Sequence, residues 1–218
     1  MQYKFHNSTN VRVSFPFQTG SHDFRRTASR LDPMLADAFN MIALTLPGIS
    51  VTYQGEEIGM TDNMDITWEE TVDNKGCNCG PELYLEPDCS RDPERTPMQW
   101  DGSANAGFSA AERTWLPVNN NYVSLNVGEQ RGKADSHLEI YRRLVALRRD
   151  LSTTGEFETL VSGEVLAFAT IADASPTHVT VINFGDMDQL VDLSGVFHSA
   201  YDIGYVVVAG AGGNNSER

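Results

Sequence analysis

No run of this sequence comes near the about 20 consecutive apolar residues that a membrane-crossing helix needs, so direct membrane insertion is not expected. Basic residues are scarce as well: 16 Lys and Arg stand against 30 Asp and Glu, a formal net charge of −14. An acidic surface repels nucleic acid and anionic lipid, which disfavours both as partners and leaves neutral ligands such as sugars open. The opening residues, Met1-Gln2-Tyr3-Lys4-Phe5-His6-Asn7, lack the apolar core of a signal peptide. There is no internal repeat. Cysteines number three, Cys77, Cys79 and Cys89, and the Cys77-x-Cys79 spacing with no second pair does not make a zinc site. A disulfide from Cys89 to either Cys77 or Cys79 is expected, which implies an oxidising compartment and leaves one odd thiol.

What is present is a globular composition, 40% hydrophobic and 21% charged, in 218 residues, enough for one large domain or two small ones. Residues 1–19 are polar apart from the knot Phe15-Pro16-Phe17. From Asp32 a helix is expected: Asp32 as N-cap, Pro33 in the first position, and Met34, Ala38, Met41, Ile42 and Thr45 on one face. Pro47-Gly48 ends it, and Ile49 to Tyr53 reads as a buried strand. Residues 61–133 form a long, mostly irregular stretch, a length that usually signals function. A second helix begins near Ser136, with Glu139 completing a capping box and Leu138, Tyr141, Leu144, Val145 and Arg148 on its buried side. Arg148 is expected to extend its head to water, and Arg142, Arg143, Arg148 and Arg149 together read as a solvated face matched to the helix C-terminus. After Gly155 the runs Glu164–Ile171, Thr177–Asn183, Gln189–Leu193 and Tyr205–Ala209 suggest a small antiparallel β-domain, followed by a frayed tail from Gly210. Asn7-Ser8-Thr9 and Asn214-Asn215-Ser216 fit the glycosylation triplet, so Asn7 and Asn214 are candidate acceptors.

The stretch Ser90-Arg91-Asp92-Pro93-Glu94-Arg95-Thr96-Pro97-Met98-Gln99-Trp100-Asp101 holds two arginines, three acids and two prolines. Its prolines keep it out of regular elements, so it is a rigid loop. Such a loop suits the hydroxyls of a polar ligand, or else it is a surface loop closed by internal ion pairs. Gly20-Ser21-His22-Asp23-Phe24-Arg25-Arg26-Thr27-Ala28-Ser29-Arg30 is the second suggestive stretch, although a His-Asp pair alone is common.

Both stretches resemble the maltase-type α-glucosidases of the α-amylase superfamily, the insect maltases in particular. The first is similar to the loop after the last barrel strand. The second is similar to the family's Gly-Asn-His-Asp motif and the Arg and Ala-Ser-Arg that follow it. Leu46-Pro47-Gly48-Ile49 through Gly59-Met60 resembles the eighth strand and its turn, and the likeness continues through Asn105-Ala106-Gly107-Phe108 and Trp115-Leu116-Pro117-Val118-Asn119. Ser21 stands where the family has Asn, and Phe24-Arg25 where it has Gln and often His or Pro.

The resemblance implies the C-terminal portion of a (β/α)8 TIM barrel followed by a small antiparallel β-domain, an α/β plus all-β chain. The expected divisions are a residual barrel segment at 1–19, the C-terminal barrel part at 20–152, and an incomplete β-domain at 153–218. By the match, Asp23 is the carboxylate that stabilises the transition state, His22 its sugar-contacting neighbour, and Arg95, then Arg91, contact substrate hydroxyls. The adjacent Glu56 and Glu57 alternate in direction and are expected to anchor loops rather than flank one bond. A whole barrel needs about 250 residues, and no segment here matches the strands carrying the nucleophilic Asp or the acid/base Glu. The expectation is therefore a truncated chain lacking an internal stretch, inactive alone, from a parent that hydrolyses terminal α-1,4-linked glucose in an oligosaccharide or disaccharide. No cofactor is expected. Calcium occurs in the superfamily, but its about six to eight oxygen ligands cannot be assembled from these residues. Family members are secreted or membrane-anchored. The competing reading is a non-catalytic relative, either an amino-acid transporter heavy-chain ectodomain or a surface receptor.

Overall fold

A computed structural model describes residues 16–87, 89–152, 154–172, 176–194, 196–197 and 210. Asn7, Asn214 and the expected strand Tyr205–Ala209 lie outside the described residues, as do Phe15 and the tail beyond Gly210.

The first strand, β1 (Pro16–Gln18), leads through a four-residue helix α1 (Thr27–Arg30) to α2 (Ala36–Thr45) and then to β2 (Ile49–Val51). β1 and β2 pair in parallel, Pro16 opposite Ile49 and Gln18 opposite Val51, so the segment is a β–α–β unit. Parallel strands need such a crossover, and the ligand-bearing turns of these units lie past the strand carboxyl ends. The strand expected over Ile49–Tyr53 stops at Val51 and is not buried: Ile49 is 55% and Val51 38% exposed. Its β-branched residues favour the extended backbone, but burial requires neighbours on both faces, and the described sheet has two strands only.

Asp32 does cap a helix, its side chain accepting from the Met34 N–H at 2.7 Å, but the first turn, Pro33–Leu35, is a 3₁₀ turn that runs into α2. The buried face of α2 also differs from the apolar one read from the sequence. Ala36, Asp37, Asn40, Ala43 and Leu44 are buried, while Met34 is 74% exposed. Two polar residues took interior positions because each has a partner. Asn40 donates to the Glu56 carbonyl at 2.9 Å, and Asp37 meets His137 Nδ1 at 2.8 Å.

Among its described residues, the 61–133 stretch contains only short 3₁₀ turns, α3 (Asn74–Cys79) and α4 (Val127–Gln130). It is nonetheless packed, because Ile58, Met60, Met98 and Val127 form a buried cluster that ties the turn after β2 to the Pro97-Met98-Gln99 loop. Gly55 makes that turn possible. It has φ +91°, and a Cβ there would lie 2.6 Å from the Met60 sulfur and 2.7 Å from Arg26 Nη1.

Helix α5 (His137–Arg148) lies against α2 through Leu44, Ile140 and Leu144. Full burial of such aliphatic side chains contributes about 1.5–3 kcal/mol each. Ile140 replaces the expected Val145, which is 37% exposed. Only half of the expected capping box forms: Ser136 Oγ accepts from Glu139 N at 3.4 Å, but the Glu139 carboxylate accepts instead from Gly132 N at 2.9 Å. Arg148 does not reach for water. Its guanidinium donates to the carbonyls of Leu44, Leu46 and Gly48, satisfying orphan acceptors at the end of α2.

Beyond Gly155 a three-stranded antiparallel sheet, β3 (Glu156–Ser162), β4 (Val165–Ile171) and β5 (Val179–Asn183), runs in chain order. β3 was not anticipated, since the alternation of Phe157, Thr159 and Val161 with acids leaves both faces mixed. Gln189–Leu193 is not a strand. Leu190 is fully exposed, and the Leu193 carbonyl accepts from Val196 and Phe197 N–H in a turn that packs Phe197 on β4. The sheet touches α2 through Thr180 Oγ1 and Thr45 Oγ1, 2.8 Å apart, and through Phe39 and Phe184.

Two outcomes follow from the helix pair. Arg148→Ala leaves three carbonyls without their cationic donor and is expected to lower unfolding stability by about 2 kcal/mol in urea denaturation. The bond to Asp37 holds the His137 pKa above its ordinary value. A raised histidine pKa contributes stability that is complete below the unfolded value of about 6.5 and is lost as pH climbs through the folded value. The stability deficit of His137→Gln should therefore be larger at about pH 5 than at about pH 9.

Candidate functional site

The loop from Thr19 to Arg26 follows β1 directly, and a short side-chain turn sets its shape. Ser21 Oγ accepts from Asp23 N at 3.1 Å, so a serine at this position still makes the two-residue turn. A β-bridge between Ser21 and Phe24 closes it. The following Arg26 is 1% exposed and nails the loop down. Its backbone N–H donates to Asp62 Oδ1, its Nη1 donates to the Gln54 carbonyl, and its guanidinium lies 5.1 Å from the Tyr53 ring centroid. Glu56 supports the same loop, accepting from Thr19 Oγ1 at 2.7 Å, Thr27 Oγ1 at 3.3 Å and Tyr53 N at 2.8 Å. Glu57 turns the other way and accepts from Gly55 N at 2.7 Å. The two glutamates are structural and do not face one space.

The structure brings His22, Asp23, Arg91 and Arg95 together. Asp23 Oδ1 accepts from Arg91 Nη1 and from Arg95 Nη2, each at 3.0 Å. His22 Nε2 lies 3.4 Å from the other oxygen, Oδ2, and Arg95 Nε donates to the His22 carbonyl at 2.6 Å. Arg95 ends a 3₁₀ turn, Pro93–Arg95, with Pro93 in its first position, and Arg91 lies two residues before that turn. The hydrogen bond from Arg91, with His22 beside it and the positive charges of Arg91 and Arg95 around it, holds the Asp23 carboxyl below its ordinary range. Asp23 is therefore an ionised carboxylate near neutral pH, half exposed, with one oxygen held by two guanidinium groups and the other beside His22 Nε2. Phe24 next to it is 62% exposed.

Two residues of this region were not singled out from the sequence. Asp73 is buried and takes Arg91 as a fork, Nε to Oδ2 at 2.9 Å and Nη2 to Oδ1 at 2.8 Å. Glu94 is 1% exposed with Oε2 unpartnered, and burial together with the Asp62 carboxylate pushes its pKa up to about 7. Neither position stands in a periodic pattern. The one available signal was the N-cap role of Asp73, whose Oδ1 accepts from Lys75 N at 3.3 Å.

The cysteine alternatives resolve to Cys79–Cys89, with Cα atoms 5.9 Å apart, and Cys77 is a free, exposed thiol. Cys77 as a disulfide half is thereby corrected. Among the described residues no group of three or more His, Cys, Asp or Glu converges as a metal site, and no helix is long and apolar enough to cross a membrane.

Glu94 has a pH signature. A carboxyl whose folded pKa is raised keeps its proton while the unfolded chain has lost it, so stability falls between the ordinary value and about 7 and is level above that. Glu94→Gln removes the titration, and its unfolding stability relative to the parent chain is expected to rise from about pH 4 to about pH 8 in denaturant titrations.

The pattern described as "Alpha amylase, catalytic domain" matches residues 2–155. Maltase 1 of Drosophila virilis is 45% identical over 180 residues, which cover 80% of this chain and 28% of that protein. Salivary alpha-glucosidase of Aedes aegypti is 44% identical over 192 residues, covering 87% of this chain and 33% of that protein. A variant of isomaltulose synthase from Erwinia rhapontici, solved in complex with its natural substrate sucrose, superposes with a TM-score of 0.66 at 30% identity, covering 78% of this chain and 34% of that one. The chain thus spans about a third or less of the length of these proteins. Its parallel pair and helices, with an antiparallel sheet behind them, reproduce part of the barrel and β-domain architecture, left open. With the catalytic-domain pattern running through well over half of its residues, this chain belongs to the alpha-amylase family, and to the maltase and α-glucosidase-like part of it.

Proposed function

We propose that this chain carries the transition-state-stabilising part of a retaining α-glucosidase active site, from a protein that hydrolyses terminal α-1,4-linked glucose. Asp23 is the stabilising carboxylate, His22 contacts the sugar, and Arg95 and Arg91 hold the carboxylate and reach substrate hydroxyls. The observation that carries the reading is the convergence of two arginines and one histidine on a half-exposed carboxylate at the end of a parallel strand.

The chemistry follows from the charges. Glycoside cleavage with retention passes through an oxocarbenium-like state and needs a nucleophilic carboxylate and an acid about 5–5.5 Å apart. No segment of this sequence resembles the strands that carry those two groups in the family. What Asp23 supplies is electrostatic: a fixed negative charge near the ring hydroxyls, worth most as positive charge develops on the sugar. The arginines on Oδ1 keep the group ionised and fix its direction, which leaves Oδ2 and the His22 ring toward substrate. The parent protein is read as secreted, which the Cys79–Cys89 bridge and the salivary relative support.

The purified 218-residue polypeptide should not hydrolyse a chromogenic α-glucoside, and turnover by it would overturn the claim that it lacks the reacting pair. A cationic iminosugar, which mimics the charged transition state, should move NMR resonances of His22, Asp23, Arg91 and Arg95. Those shifts should weaken about tenfold in affinity in Asp23→Asn, as expected for loss of a charged contact of about 1.4 kcal/mol or more. Absence of any shift at these residues in the parent chain would sink the sugar-site reading.

A further inference from the structure

We propose that Asp73 is a positioning residue of this site: it holds Arg91 in the one orientation in which that guanidinium can also reach Asp23. The inference rests on the reading of Asp23 as the substrate-facing carboxylate, and it names a residue that acts on it at one remove.

The geometry is a chain of three links. Asp92, 1% exposed, accepts from Val72 N at 2.9 Å and Asp73 N at 3.0 Å through Oδ2, which fixes the backbone at Asp73. The Asp73 side chain, 3% exposed, then takes three donors from Arg91. These are the backbone N–H at 2.8 Å, Nε at 2.9 Å and Nη2 at 2.8 Å. That arrangement uses one full edge of the guanidinium. The remaining Nη1 donates to Asp23 Oδ1 at 3.0 Å. A guanidinium is planar and rigid, so anchoring one edge in a bidentate pair sets the direction of the other. A lysine at position 91 could not do both. Residue 73 is 50 positions from Asp23 in the chain, and Arg91 is the group that bonds to both.

Two opposite outcomes separate positioning from competition. If Asp73 only draws Arg91 away from Asp23, removing its charge frees Arg91 to bind Asp23 more tightly, and the Asp23 pKa falls. If Asp73 positions Arg91, removing the charge lets the long side chain swing, and the Asp23 pKa rises. The titratable and charged groups that face Asp23 are His22, Arg91 and Arg95, and the two other than Arg91 are unchanged by the substitution.

The test is a carboxyl-carbon NMR titration of the 218-residue chain, labelled at aspartate. Asp73→Asn keeps an N-cap oxygen for α3 and deletes the charge, so helix capping is retained while the ion pair is lost. The Asp23 titration is expected to move up toward the ordinary aspartate value in Asp73→Asn, and to return most of the way in Asp73→Glu. An unchanged or lowered Asp23 titration overturns the proposal. Should Asp73→Asn fail to fold, Asp73→Ser carries the same test, because it too keeps an N-cap oxygen and loses the charge. An upward move supports the proposal and an unmoved Asp23 overturns it. The glycosidase reading is judged by iminosugar shifts, which do not enter this titration, so failure of one is seen apart from failure of the other.

Discussion

One guanidinium, that of Arg91, stands between two carboxylates that the chain brings together from positions 50 residues apart. Asp23 belongs to the loop after β1, and Asp73 belongs to the cap of α3. Around this bridge the loop after β1 and the segment after β2 are joined by further polar contacts: Arg26 N–H donates to Asp62 Oδ1, Asp62 N–H donates to Ser29 Oγ, and Arg25 Nη2 donates to the Leu85 carbonyl. Ion pairs at an open surface stabilise little by themselves. This one differs because Asp73 is buried and fully matched by the fork, so its pairing is required once the loop has closed. The pairing fixes geometry more than it adds stability, and fixed geometry is what a site for a neutral, hydroxyl-rich ligand needs.

The long stretch after β2 achieves its order by polar burial. Asn63, Asp92, Glu94, Thr96, Gln99 and Asn126 are each 1% exposed or less, which in a segment of loops and short helical turns is a high density of interior polar groups. Most are spent on backbone: Asn63 Nδ2 on the Pro117 carbonyl, Gln99 Nε2 on the Leu125 carbonyl, Asn126 Nδ2 on the Tyr122 carbonyl. A buried irregular segment must satisfy its peptide groups somehow, and side-chain amides do it here in place of a ladder. The consecutive left-handed residues Asn105 and Ala106, both at φ 54°, belong to the same economy of tight turns, with the Ala106 carbonyl accepting from Trp100 and Asp101 N–H.

These facts explain which parts of the molecule could be read from the residues alone. The loop Ser90–Asp101 and the Gly20–Arg30 stretch were legible as words, because prolines, glycine and charged residues in fixed order leave few alternatives. The Asp32-Pro33 start and the Ser136 cap were legible from capping chemistry. The inward face of α2 was not, because apolar periodicity is blind to a buried Asp37 and Asn40 whose partners lie on other elements. Arg148 was misjudged for the same reason: whether an arginine meets water or carbonyls depends on a helix end 100 residues away. Asp73 and Glu94 were invisible because their importance is a matter of what surrounds them, and no local pattern encodes that.

The small bridge Cys79–Cys89 carries one more lesson, about how sulfur chooses its mate. Closing to Cys79 spans 10 residues, and closing to Cys77 would span 12, since 89 − 77 = 12. Loop statistics separate the two by only about 0.2 kcal/mol, too little to decide anything. Helix α3 decides instead. Positions two apart on a helix point about 200° away from each other, so only one of the pair can look toward Cys89. Selectivity among the three thiols is thus an act of secondary structure, and a chain oxidised before that turn has wound loses the discrimination.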